Sequence, residues 1–388
     1  MNNRLHRWRK GTLAWKCKRD NTKNLTPMGK LQSRVLLRAL LLAVLLATSG
    51  CGSFVAHRLA QAPNTYPDWF APPAPVLLDF PEAFLTNFPA AFAEVGPPPV
   101  RLCYRVVPPG DYHLRFTATN WTKGAKTRHR FTFRADLPGA TNGFTAAPRG
   151  TVVLLHGFGL DQACLAPWAI RLAQAGWRCV LVDLRGHGDS TGRRIYFGVV
   201  ETSDLSQLLD EWARRGALAQ PVAVLSESYG AAVALRWRTL EPRVTAVVAM
   251  APYAELAPAA ENIRREYAGW FPSAWLRWGL EELPAVLEVP AAELNPVTAL
   301  QRKPVSVLFI AGGEDRIAPV NEVNRLKALA ATGSELLILP DASHEALPYN
   351  FDALVPSVLD WLEAHAGTAK ARAQVEGASN VVKARLKP

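Results

Sequence analysis

The sequence predicts an α/β fold, with a mostly parallel central sheet covered by helices on both faces. Three observations carry that reading. Short apolar runs alternate with helix-period stretches from Thr151 to His365. The runs TVVLL, RCVLVD, VAVL, VTAVVAM, VSVLFIA and ELLILP are apolar almost throughout, as strands buried on both faces are. Segments rich in Gly, Ser, Asp and His follow directly after several of them, where open α/β sheets gather their sites.

Residues 1–50 read as a targeting segment. They hold eleven Lys/Arg and one acidic residue, so nearly all of the chain's formal net charge of +11 sits there. A basic tail over 366–388 adds more, and the body between is slightly acidic. Such a body offers no basic surface to a phosphate backbone, which argues against nucleic acid as a partner. Arg34 and Arg38 precede an unbroken apolar run, Ala39–Ala47, and then Thr48-Ser49-Gly50-Cys51. A charged region, a short apolar core and small residues are the parts of a secretory signal. The run is well short of the ~20 residues that span a bilayer. Thr48–Cys51 resembles the bacterial lipobox, with Thr48 where that motif prefers Leu. The resemblance implies acyl chains on Cys51, export, and a lipid anchor in the cell envelope. Gly52, rather than Asp, points to the outer membrane if the host has one. An uncleaved signal anchor is the alternative. Met28 offers a second start that would give a charged region of ordinary length.

Residues 61–99 contain ten prolines. Such a stretch makes a semi-rigid tether, here 51–99, that would hold a catalytic domain clear of the membrane. Its aromatics, among them Trp69, Phe70, Phe88 and Phe92, imply that part of it packs on that domain. The domain is expected over 100–365. It opens with VRLCYRVV, YHLRFTATN and HRFTFRADL, which alternate as antiparallel edge strands do. Helices are expected over 163–175, around Leu205, Leu208, Leu209 and Trp212 (capped by Ser203 and ended by Gly216), after VAVL, over 321–331 and over 353–365. Pro252–Thr298 interrupts the alternation. The tail from 366 is poor in apolar residues and is expected to be disordered. The cysteines Cys17, Cys51, Cys103, Cys164 and Cys179 form no CxxC pair. Cys103, Cys164 and Cys179 read as buried thiols, with a Cys164–Cys179 disulfide as the alternative in an oxidising compartment.

The most informative stretch is Val222–Ala232. A short buried strand runs into Ser226-Glu227-Ser228-Tyr229-Gly230, and a helix follows. A serine on so tight a turn is held out of the sheet and needs small residues two places to either side. Ser228 has Gly230 on one side and Ser226 on the other, a departure from G-x-S-x-G that leaves open which serine reacts. Other loops after strands are His156-Gly-Phe-Gly159, Asp183–Ser190, Ala311–Arg316 and Asp341–His344.

In this order, Ser228, Asp315 and His344 with a preceding HG loop resemble the α/β-hydrolase superfamily over about residues 100–365. HGFG, DLRGHGDS and GVVETSDL are similar to bacterial serine hydrolases of the lysophospholipase-like and serine aminopeptidase-like group. The resemblance implies Ser228 as nucleophile, His344 as base, Asp315 as its orienting acid, and the N–H groups of Phe158 and Tyr229 as oxyanion donors. Glu314 is the alternative acid. His156 and His187 read as structural. The insertion 252–298 corresponds to a lid. Its Trp270, Trp275 and Trp278 are expected to line an acyl pocket, with helix packing as the plainer alternative. Gly192–Gly198 is expected at the border of the site, and Arg264 and Arg265 near an anionic head group. RGHGDSTG lacks the Lys of a phosphate-binding loop. No metal cluster and no cofactor motif is read.

The reading is therefore a serine hydrolase of small-molecule or lipid esters, anchored to a membrane by its N-terminal lipid. Peptidase and thioesterase are the alternatives among enzymes, and a catalytically silent binding protein the alternative outside them. The sequence does not fix the oligomeric state.

Overall fold

A computed structural model describes residues 52–66, 76–79, 85–123, 126–136 and 147–366. The targeting segment with Cys51, and the tail from 367, lie outside them. The central sheet has eight strands. These are β2 (Ala91–Val95), β3 (Val100–Val107), β6 (Thr151–Leu155), β7 (Arg178–Val182), β8 (Val222–Glu227), β9 (Val244–Met250), β10 (Leu308–Gly312) and β11 (Glu335–Leu339), in the order β11-β10-β9-β8-β6-β7-β3-β2. Every neighbouring pair from β7 to β11 is parallel, while β2 and β3 are antiparallel to their neighbours. This is the α/β-hydrolase fold.

The fully buried strands β6, β8 and β10 are the continuous apolar runs of the sequence. Helices α2 (Ala166–Gln174) and α9 (Phe351–Ala366) cover one face. The other carries α3 (Glu201–Arg214), α4 (Ser228–Leu240), α7 (Pro296–Arg302) and α8 (Val320–Leu329). Trp168 of α2 is fully buried, and its indole N–H donates to the Pro348 carbonyl at 2.7 Å. Burying so large a ring contributes at least ~2 kcal/mol, and the partner removes the cost of its polar end.

Four expectations change. The sheet begins at Ala91, inside the stretch read as tether, because Ala91–Val95 pairs with Val100–Tyr104. The two strands after β3, β4 (His113–Lys123) and β5 (Lys126–Asp136), leave that sheet. They form a hairpin which, with β1 (Val76–Asp79) parallel to β5, makes a separate three-stranded sheet. Phe131 and Phe133 of β5 pack it against Tyr349 and Phe351. Ser203 does not cap α3, which starts two residues earlier at Glu201, whereas Gly216 does follow its end at φ +66°.

The fourth change is the tether itself. A helix, α1, spans 52–60 and packs on the domain. Val55, Ala56 and Ala60 are buried. After it, Ala62 N–H donates to the Arg193 carbonyl, and the Asn64 side chain bonds to the carbonyls of Gly188 and Ser190. Residues 52–66 are thus docked on the domain, since the small apolar residues of 52–60 fit a helix face. Among the described residues no helix is long and apolar enough to cross a membrane.

Candidate active site

Three loops at the C-terminal edge of the sheet meet. β8 ends at Glu227 and α4 begins at Ser228, so the backbone reverses within one residue. Ser228 takes φ +49°, a left-handed conformation that costs a non-glycine residue about 1–3 kcal/mol. The surroundings hold it there. A Cβ on Gly230 would lie 2.3 Å from the Leu155 carbonyl oxygen, so strand and helix could not approach as they do with any larger residue. Ser226 is fully buried, and its hydroxyl donates to the Val248 carbonyl at 2.8 Å. It is spent inside the sheet, whereas the Ser228 hydroxyl stands at its edge, facing His344.

Ser228 Oγ lies 2.9 Å from His344 Nε2, and His344 Nδ1 lies 2.8 Å from Asp315 Oδ2. The other oxygen of Asp315 accepts the N–H groups of Ile317 and Ala318 at 2.8 and 2.7 Å, which aims the carboxylate at the ring. Glu314, by contrast, is exposed. Burial by itself would lower the His344 pKa. The charge and hydrogen bond of Asp315, and then the charge of Glu227, outweigh burial and raise it above the ordinary histidine value.

The Tyr229 N–H is in the first turn of α4 and so has no partner within the helix. Phe158 lies on the opposing HG loop. A Cβ built on the neighbouring Gly157 would come 3.7 Å from Ser228 Cβ, so this loop abuts the elbow. His156 and His187 brace it, as expected from sequence. His156 Nδ1 bonds to the Gly157 carbonyl, and its Nε2 accepts the Leu184 N–H at 3.0 Å. Burial pushes His156 down to about 4 and His187 down to about 3, so both rings are neutral at pH 7. The arrangement can move a proton from a serine hydroxyl to an imidazole, stabilise the resulting imidazolium, and offer N–H donors to an oxyanion.

Several residues sequence reasoning passed over. Glu227, beside Ser228, is buried with Oε2 unpartnered, and burial raises its pKa to about 7 against the opposing pull of His344. Glu201 opens α3 and accepts three hydrogen bonds: from the N–H groups of Tyr196 and Gly198, and from the Tyr229 hydroxyl at 3.1 Å. It thereby ties the Gly192–Gly198 segment to the elbow. A carboxylate at the start of a helix whose preceding loop is glycine-bounded was the available signal. Asp183 accepts from Gln162 N, Gln162 Nε2 and Asp189 N, holding the RGHG loop. Cys103, Asp183 and Asp189 place potential metal ligands close together, but those three N–H donors already occupy the Asp183 oxygens. Cys103, Cys164 and Cys179 are free buried thiols, so the Cys164–Cys179 disulfide does not form.

The insertion read as a lid carries α5 (Leu256–Tyr267) and α6 (Ser273–Leu287). α5 is fastened to the loops of the site. Asn262 Nδ2 donates to the Ile317 carbonyl at 3.0 Å, and the Tyr267 hydroxyl bonds to Glu345, next to His344. Arg264 and Arg265 both pair with Glu261, and Arg264 also bonds to the Phe271 carbonyl, so they brace the lid rather than await an anion. Trp270 is 83 % exposed and Trp275 is exposed, while Trp278 packs on α1. None of the three borders the cleft of about 280 Å³ beside the HG loop, which is lined by Phe133, Gly159, Leu160, Cys164 and Pro167 among others.

Known proteins are similar to this chain in part of its sequence and in its fold. A family model described as serine aminopeptidase, S33, matches residues 146–304, a span that includes Phe158, Ser228 and Tyr229 and ends before Asp315 and His344. An uncharacterized protein of Mycobacterium tuberculosis is 28 % identical over 203 residues, 52 % of this chain and 65 % of that protein, so the match spans less than two thirds of the relative. YqkD of Bacillus subtilis, also uncharacterized, is 24 % identical over 215 residues, covering 53 % of this chain and 69 % of its own. Among solved structures, an esterase of Pyrococcus furiosus superposes with a TM-score of 0.52 at 18 % identity, over 76 % of this chain and 98 % of its own.

Proposed function

We propose, from the α/β-hydrolase fold that this chain has, that it is a serine hydrolase cleaving carboxylic esters through an acyl-enzyme intermediate. The observation that carries the reading is the continuous line Ser228 Oγ–His344 Nε2 and His344 Nδ1–Asp315 at 2.9 and 2.8 Å. In the first step Ser228 Oγ attacks the substrate carbonyl and its proton passes to His344 Nε2. The carbonyl π electrons move to oxygen, which the N–H groups of Tyr229 and Phe158 receive. The alcohol leaves with the proton from His344. Water then repeats the sequence on the acyl-serine and regenerates the hydroxyl. Asp315 keeps the ring in the tautomer with Nδ1–H and stabilises its cation.

Peptide hydrolysis is the second reading, favoured by the description of the matching family model. A fluorophosphonate probe, followed by peptide mass analysis, should modify Ser228. A screen of p-nitrophenyl esters of rising chain length beside aminoacyl anilides separates the two substrates. No labelling at Ser228 would reject the serine mechanism, and faster anilide than ester turnover would reject the esterase.

The proposal extends to location: export, and acylation at Cys51. Loss of labelled palmitate in Cys51→Ala, expressed in a bacterial host, tests it. Unlabelled wild type would reject it.

A further inference from the structure

The residue read as the lipid attachment point is the covalent neighbour of Gly52, and Gly52 is not on a tether. α1 begins there and lies against the second lid helix. A Cβ on Gly52 would come within 3.3 Å of Trp278 Cβ, and one on Gly279 within 2.3 Å of Val55 Cγ1. Two glycines thus let α1 and α6 approach closely. Acyl chains on Cys51 would be attached within ~4 Å, one Cα–Cα step, of a residue in contact with the lid.

The lid carries an aromatic rim that nothing among the described residues covers. Trp275 lies three residues before Trp278 on α6, which puts both on one side of the helix. The Trp275 ring meets Phe271 edge to face at 6.1 Å, and Phe271 meets Trp270 at 5.9 Å. Ring contacts thus link Trp275 of α6 through Phe271 to Trp270, which is 83 % exposed. Phe54, 64 % exposed, stands on α1 itself. Tryptophan is the side chain that gains most at a bilayer interface, where one edge of the ring is apolar and the N–H stays wet.

We propose that this rim, Trp270 with Trp275, docks the lid into the headgroup region of a lipid bilayer, so that the enzyme works with its lid against the membrane. The inference rests on the Cys51 anchor for its orientation. Two acyl chains hold a protein at a bilayer, and a short rigid link fixes which face meets it. Because α5 of the same lid is bonded to the loops of Asp315 and His344, docking puts the site beside the lipid surface. The occupant is a membrane, since the neighbouring residue is the one that would carry acyl chains.

The test uses the full chain expressed in a bacterial host and reconstituted in vesicles of phosphatidylethanolamine and phosphatidylglycerol. An environment-sensitive NBD group is placed on Gly269→Cys, where an added Cβ meets only the Arg265 carbonyl at 3.8 Å. A second is placed on Ala213→Cys, exposed near the end of α3 that leads into the N-terminal end of β8. The protein without an added cysteine gives the background. On vesicles the emission at 269 should shift to the blue while that at 213 stays as in water. Trp270→Ser should lower hydrolysis of a vesicle-borne ester about tenfold and leave a water-soluble ester unchanged. Water-like emission at 269 in a vesicle-bound, palmitate-labelled protein overturns the docking and leaves the anchor standing. A blue shift at 269 without palmitate label supports the docking and removes the anchor. A concentration-dependent shift without vesicles means that a second copy covers the rim, and overturns the proposal.

Discussion

The elbow and the lid sit at the same end of the sheet but are built by opposite rules. At the elbow, backbone meets backbone. Gly230 is pressed against the Leu155 carbonyl, and Cβ atoms on Gly312 and Gly313 would lie 2.3 and 2.2 Å from the carbonyls of Ala342 and Pro340. No side chain can move aside there, so the positions of Ser228, Asp315 and His344 are fixed by the main chain. In the lid, contacts run through side chains: Val55 against Gly279, Arg264 on Glu261, Tyr267 on Glu345. Such contacts can yield, and the aromatic residues between them face solvent. The proposed chemistry, which would tolerate little displacement, sits on the first kind of structure, and the proposed docking surface on the second.

The sharpest way to break that contrast is at Ser228. Ser228→Ala should reduce kcat by roughly 10³–10⁶, leaving what binding and the N–H donors supply. Ser226→Gly removes a hydroxyl that only bonds the Val248 carbonyl, and should keep kcat within a few-fold. Fluorophosphonate labelling that survives the first change and disappears in the second would mean that the elbow has been misassigned.

Next in size is Asp315→Asn. The amide keeps the shape but presents the wrong group to His344 Nδ1, so kcat should fall by up to about 10⁴. Because the Asp315 charge also raises the His344 pKa, the acid limb of the kcat/KM profile should move to lower pH in the variant. Glu314→Gln, at an exposed position, should leave both unchanged. Steady-state rates from pH 5 to 9 read all three.

How far the sequence could be read follows the same division. Ser228, Asp315 and the HG loop were legible because each follows an apolar run that forms a fully buried strand, whereas His344 follows β11, an edge strand only partly buried despite its apolar sequence. Helices α2, α8 and α9 were legible from their apolar period, while α1, α5 and α6 were not. What escaped were relations between segments distant in the chain. VRLCYRVV, YHLRFTATN and HRFTFRADL alternate alike, yet only the first joins the main sheet, while Phe131 and Phe133 of the third pack against Tyr349 and Phe351. The prolines of 61–99 suggested a tether, but the apolar face of 52–60 finds its partner more than two hundred residues away on α6. Glu227 gave no pattern at all, because a buried carboxylate differs from a surface one only in what surrounds it.

Two glycines compare the regions directly. Gly230→Ala drives a methyl into main-chain oxygens of β6 and its loop, with nothing flexible to relieve it. It should cost more than the ~1–3 kcal/mol usual for overpacking and abolish probe labelling. Gly279→Ala meets the Val55 side chain, which α1 can carry with it, so the cost should stay within that range and labelling should persist. Thermal melts with and without the probe measure both. Equal losses would show that the lid is as fixed as the elbow.

The smallest effect is electrostatic and belongs to Glu227. Its carboxyl is buried beside Ser228, and burial holds its pKa up at about 7. A carboxyl raised in the folded state adds stability that is complete below the ordinary carboxylate range, about 4.5, and is lost as pH rises through about 7. In that window the unfolded chain has released the proton while the folded one still holds it, so stability falls with pH. Glu227→Gln removes the group and should flatten that part of the curve, read as the difference between variant and wild type because Asp183 and Asp204 are also raised, to about 6. The same change removes a negative charge that helps to raise the His344 pKa. The acid limb of kcat/KM should therefore shift to lower pH by less than in Asp315→Asn, with kcat on the plateau nearly preserved. A plateau lost as in Asp315→Asn would make Glu227 a participant in the chemistry. An unmoved limb would mean that its charge does not reach the imidazole, and that the elbow is set by geometry without this carboxylate.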